Sequence, residues 1–142
     1  MTNLKTILDS EEAYKILDSS KVGGGTWMAG GCAILAKTLH DIYKYPIYTI
    51  YNTDKKIIEH FGVKTQKETY IDYDGEHKDW ISDFKNAELI EGNLKILPYK
   101  QGMNMKGIVF DDNSSDKLKI LISNHQYIKE IVKSVFKNVL DS

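Results

Sequence analysis

The chain has no arginine: all 19 of its basic residues are lysines, set against 20 acids for a net charge of −1. Without arginine there is no planar fork for bidentate phosphate or carboxylate recognition. Without a basic surplus there is no global field of the kind that draws a protein onto nucleic acid. A single cysteine excludes an intramolecular disulfide and every CxxC-type zinc site. No apolar run approaches the ~18 residues of a membrane span. Met1 to Glu12 lacks the basic-then-apolar order of a signal peptide. The expected location is therefore cytoplasmic, with neither membrane nor nucleic acid as partner. There is no GxxxxGK[ST] loop, no HExxH and no complete calcium loop, so no cofactor or metal is expected.

What is present is globular: 142 residues, 42% apolar, 11% aromatic and 27% charged. These figures suit a single α+β domain over residues 1–142. Asn3 to Ser20 reads as one or two short helices, with Ser10 and then Glu11 and Glu12 as a capped, acidic N-terminus. Five glycines among residues 23 to 31 preclude regular structure there. From Cys32 the spacing of Leu35, Leu39, Ile42 and Tyr43 predicts a helix closed by Pro46. Ile47–Tyr51, Ile57–Lys64 and Thr69–Tyr73 then read as an antiparallel meander that ends at Asp74-Gly75. A helix is expected over His77–Glu88 and a strand over Leu94–Leu97, with further strands at Ile108–Phe110 and Leu118–Ile122. A last helix is expected from a capping box at Ser123 and Gln126, its stripe running from Ile128 to Val139.

The chemistry concentrates on the cysteine. A helix N-terminus offers positive dipole and free N–H groups, which favour a thiolate and can hold an oxyanion on an attacked carbonyl. Gly30 and Gly31 leave the approach to the sulfur free of side chains. The same cysteine also fits a small buried hydrophobe. A nucleophile needs a base, and the base an orienter. A turn near residue 66 places Asp72 directly across from His60, on the same sheet face. A register slip of two residues would put Asp74 there instead. His40 lies about two turns along the helix from Cys32, while His77 and His125 read as exposed caps. Trp27, Trp80, Tyr48, Tyr51, Tyr70 and Tyr73 read mainly as core, except Trp27, whose glycine-rich loop offers little core to join.

Gly30-Gly31-Cys32-Ala33-Ile34-Leu35-Ala36, a strand histidine, and Tyr70-Ile71-Asp72-Tyr73-Asp74-Gly75 together resemble the papain-like superfamily, which includes NlpC, transglutaminase-like and papain-fold toxin proteins. The resemblance covers roughly residues 23 to 80. It implies a papain-like core in which a Cys-bearing helix packs on an antiparallel sheet with flanking helices. It also implies Cys32 as nucleophile, His60 as base and Asp72 as orienter. The chain departs from classical papains: it has no Gly-Ser-Cys-Trp, and Thr26 stands where a glutamine six residues before the cysteine supplies an oxyanion donor. The backbone N–H of Cys32, with Thr26 or Trp27, is left for that task.

Two readings follow. The first is a cysteine-dependent hydrolase or acyl-transferase acting on an amide or isopeptide bond of an intracellular protein or peptide. Thr26, Trp27, Gly30 and Gly31 then border the oxyanion and substrate site. The second is an inactive papain-like binding protein, of phage or mobile-element type, that inhibits a host factor by contact.

Overall fold

The computed structural model describes residues 4–105 and 107–125. Ser10 opens the second helix as its sequence suggests, its hydroxyl accepting from the Ala13 N–H. The helices α1 (Leu4–Leu8) and α2 (Glu11–Asp18) present Leu4, Ile7, Leu8, Ala13 and Leu17 to the core. Helix α3 (Cys32–Tyr43) follows the glycine-rich loop and ends at Lys44, which adopts the left-handed conformation just ahead of Pro46. Its first five residues are all buried. A helix covered on every side at one end is central rather than peripheral.

Five strands form one antiparallel sheet in the order β4-β3-β2-β1-β5. They are β1 (Ile47–Asn52), β2 (Ile57–Lys64), β3 (Tyr70–Asp72), β4 (Gly75–His77) and β5 (Leu94–Pro98). Helix α3 packs on one sheet face against Ile58, Phe61, Val63 and Ile71. Helix α4 (Trp80–Glu88) covers the other, where Trp80 and Phe84 join Ile50 and Leu94. The α+β class and the cysteine-bearing helix on an antiparallel sheet are thus as expected.

The departures have local causes. His77 ends strand β4 instead of starting a helix. Gly75, at φ +106°, allows a tight return after Asp72, and Asp79 caps α4 by accepting from the Ser82 N–H. Residues 108–110 are irregular. Residues 112–125, termed α5, are helical, so Leu118–Ile122 is not a strand and Ser123 lies inside a helix instead of capping one. Leu118 and Ile122 are buried while Ile120 is 61% exposed, which is a period of four, not two. Asp111 caps this helix through the Ser114 N–H and also accepts from the Lys21 N–H. The Ser115 hydroxyl then ties α5 to α3 at the Ile34 carbonyl. Gln126 and the Ile128–Val139 stripe lie outside the described residues.

Two sheet irregularities position the site. Ile50 pairs with His60 but Tyr51 with Ile58, so Glu59 is an extra, unpaired residue. This bulge lets Ile58 and Phe61 both face α3 and turns His60 to the opposite face. On the other side of β2, Val63 pairs with Ile71 and Lys64 with Tyr70. That register is two residues from the expected one: Gly62, not His60, lies alongside Asp72. A Cβ on Gly62 would stand 2.7 Å from the Ile71 carbonyl oxygen and 2.7 Å from Trp80. Gly62→Ala should therefore push Trp80 out of place and cost about 1–3 kcal/mol, read by denaturant unfolding. Unchanged stability would mean that Trp80 is not held against this strand.

Candidate functional site

Even with the shifted register, Asp72 is the partner of His60. A slip of two keeps both side chains on one face, and the missing Gly62 side chain leaves the diagonal open. His60 Nε2 donates to Asp72 Oδ2 at 2.9 Å. Trp80 Nε1 donates to the same oxygen at 2.9 Å, and the Asp74 N–H donates to Oδ1 at 2.9 Å. Asp74 thus supplies its backbone, while its carboxylate pairs with Lys5 at the surface.

His60 is fully buried, stacked on Phe84 at 5.0 Å between ring centroids and tilted against Trp80 at 5.7 Å. The Cys32 thiol, at the first residue of α3, is close enough to this ring to favour its protonated form. With Nε2 held by Asp72, only Nδ1 is left to face sulfur. Nδ1 has no well-aligned hydrogen-bond partner among the described residues.

Burial disfavours a charge on His60, but the bond to Asp72 and the adjoining Cys32 outweigh it, and the imidazole pKa is pushed up to about 10. Burial likewise opposes ionisation of Asp72. Its donors His60, His77 and Trp80 overcome this and hold the carboxyl well below the usual carboxylate range.

The glycine-rich loop behaves differently from expectation. The Trp27 indole is buried and donates to the Leu8 carbonyl at 3.0 Å, so its N–H is taken and it joins the core after all. The exposed Thr26 uses its hydroxyl to accept from the Ala29 N–H, and the Gly31 N–H donates to the Thr26 carbonyl. Gly30 and Gly31 do not open a path to the sulfur. A Cβ on Gly30 would meet Val22 at 2.9 Å, and one on Gly31 would meet Leu17 and the Thr26 carbonyl at 2.9 Å. These glycines make room for the protein's own packing. The oxyanion donors that remain are the first-turn N–H groups of α3, beginning with Cys32, which helix geometry leaves without intrahelical acceptors.

Sequence reasoning missed His77. Its Nε2 lies 2.7 Å from Asp72 Oδ1 and its Nδ1 2.7 Å from Asp83 Oδ2. The bond to Asp72 outweighs partial burial, Asp83 adds to it, and the His77 pKa is pushed up to about 9. The available signal was Asp74-Gly75 read as a hairpin turn, which puts positions 72 and 77 on one face. His40 instead faces the Tyr45 carbonyl at 2.7 Å. Among the described residues no three His, Cys, Asp or Glu side chains are grouped to hold a metal ion. No family model, curated protein or solved structure matches the chain.

Every group on the Asp72 carboxylate is a donor, so an amide in its place must turn its NH2 toward two of them. Asp72→Asn should destabilise the protein by about 1–3 kcal/mol. The sign with pH follows from the shifts. The depressed Asp72 stabilises the fold above about pH 4 and loses this as pH falls. The raised His60 and His77 stabilise fully below about pH 6.5, and lose this as pH climbs toward 9 and 10. The gap between wild type and Asp72→Asn should thus be widest near pH 5.5 and narrow by pH 9. A gap independent of pH would show that these charges do not couple to folding.

Proposed function

We propose that the protein is a papain-like, cysteine-dependent hydrolase or acyl-transferase that acts on an amide or isopeptide bond of a cytoplasmic protein or peptide. The observation that carries this reading is an imidazole bound at Nε2 by a buried carboxylate, its Nδ1 without a hydrogen-bond partner among the described residues, and a thiol at a helix N-terminus near enough to favour its protonated form. The Cys32 thiolate attacks the carbonyl carbon, a C–S bond forms, and the carbonyl π pair moves to oxygen beneath the first-turn N–H groups of α3. His60 Nδ1 gives its proton to the leaving nitrogen as the C–N bond breaks and a thioester remains. Water, or a second amine, adds to the thioester while His60 takes its proton, and C–S cleavage returns the thiolate. Asp72 holds the ring in the tautomer and orientation these transfers need. A protein or peptide substrate agrees with an arginine-free, near-neutral chain. Among the described residues no helix is long and apolar enough to cross a membrane.

One observation favours the second reading, a scaffold that works by contact alone. Cys32 is 1% exposed and His60 0%. On the hydrolase reading the seam above them must open. Met28 of the glycine-rich loop packs there against the cluster of Trp80 and Phe84.

Alkylation separates the two. At pH 6 iodoacetamide should modify Cys32 faster than free cysteine. His60→Ala should remove that advantage, and Cys32→Ala should lower turnover by on the order of 10³-fold or more. Reactivity at or below that of free cysteine, with full biological effect in Cys32→Ala, would leave the contact reading alone standing.

A further inference from the structure

Asp72 sits between two imidazoles, and only His60 is needed for the mechanism above. The sheet makes this arrangement twice. Asp72 pairs with Gly75 on β4, two residues before His77, and lies alongside Gly62 on β2, two residues after His60, so on each side a histidine shares its face of the sheet. His77 contacts a carboxylate with each nitrogen at 2.7 Å. Carboxylates only accept, so an imidazole bonded to two of them at once carries a proton on both nitrogens. His77 is then a cation clamped between Asp72 and Asp83. The groups that face it are Asp72 and Tyr70 from β3 and Asp83 from α4, with His60 and Cys32 beyond Asp72.

We propose that His77 is a positioning residue for the thiol–imidazole site: as an imidazolium held by Asp83, it fixes the second oxygen of Asp72 and offsets part of its charge, so that His60 releases its proton more readily to a leaving group. The proposal rests on the hydrolase reading for its consequence, but not for its geometry. A carboxylate bound by one imidazolium alone holds that proton hard. A second cation on the opposite oxygen weakens the hold through space. It also stops the carboxylate from rotating away from His60, since each oxygen is occupied. His77 is 11% exposed and Asp83 51% exposed, so the chain runs from a sealed thiol to a solvent-exposed acid.

The test is the titration of the histidine rings by heteronuclear NMR in wild type, His77→Gln and Asp83→Asn. In wild type, His77 should show both ring N–H protons at pH 7. In His77→Gln the His60 midpoint should move upward by about one pH unit, and the alkaline limb of the Cys32 alkylation profile should move with it. In Asp83→Asn, where the altered side chain is half exposed and the fold is not at risk, His77 should titrate lower and His60 should follow in the direction of His77→Gln. His77→Lys, which restores the charge but not the two-sided clamp, should return the His60 midpoint part of the way. A His60 midpoint that ignores all three variants, or a singly protonated His77 at pH 7, overturns the proposal. Failure of the hydrolase reading is separate: it appears as unaccelerated alkylation of Cys32 in wild type, whatever the His60 titration does.

Discussion

The site depends on one buried carboxylate and its donors. Asp72 is 3% exposed, and an ion so placed is costly unless its lone pairs are filled. His60, Trp80, the Asp74 N–H and His77 fill them, two to each oxygen. Each donor comes from a different piece of the fold: β2, α4, the β3–β4 turn and β4. The carboxylate therefore gathers elements that hydrophobic contact alone would leave free to slide. Gly62 beside it is part of the same constraint, since a side chain there would fill space that Trp80 and the Ile71 carbonyl already occupy.

Such a network is a poor device for stability alone. A buried ion pair replaced by well-packed hydrocarbon of similar volume is often neutral or more stable, whereas removing one partner leaves an uncompensated charge. A fold that carries His60, Asp72 and His77 in one connected chain, with a thiol at its inner end, has charged groups where apolar ones would serve the core as well. That excess is what makes the constellation a candidate for chemistry. The glycine-rich loop gives the opposite result. Its Trp27, Gly30 and Gly31 look like a substrate border in sequence, yet each is used for internal packing: Trp27 bonds the Leu8 carbonyl of α1, Gly30 lies against Val22 and Gly31 against Leu17 of α2.

The sequence showed most where periodicity and turn chemistry agreed: α3, the first two meander strands and the Ser10 cap match expectation. It failed where two periods fit the same few residues. Leu118, Ile120 and Ile122 alternate, but Leu118 and Ile122 are also four apart, and only the side chains of α3 decide between the two. The register of β3 against β2 was off by two, because the turn closes between Thr65 and Thr69, centred one residue later than the polar run alone indicates. His60 and Asp72 nevertheless bond, since an even slip preserves the face. His77 was hidden by its neighbours: Glu76-His77-Lys78-Asp79 is polar throughout, and polar residues before a helix read as a cap rather than as the end of a three-residue strand.

Closure and reactivity are linked in this arrangement rather than opposed. In a sealed site the effective dielectric is low, so a thiolate and an imidazolium attract each other more strongly than they would in water. The same enclosure raises the cost of forming that pair from neutral groups. Asp72 lowers the cost from one side of the ring and the helix N-terminus from the other. With Nδ1 lacking a hydrogen-bond partner, His60 is the one buried side chain left unsatisfied among the described residues, and a small displacement of Cys32 or of the seam at Met28 changes what it bonds. On the proposed hydrolase reading, motion that admits a substrate carbonyl also brings a group that Nδ1 can serve, and opening is coupled to the chemistry by the same unsatisfied nitrogen.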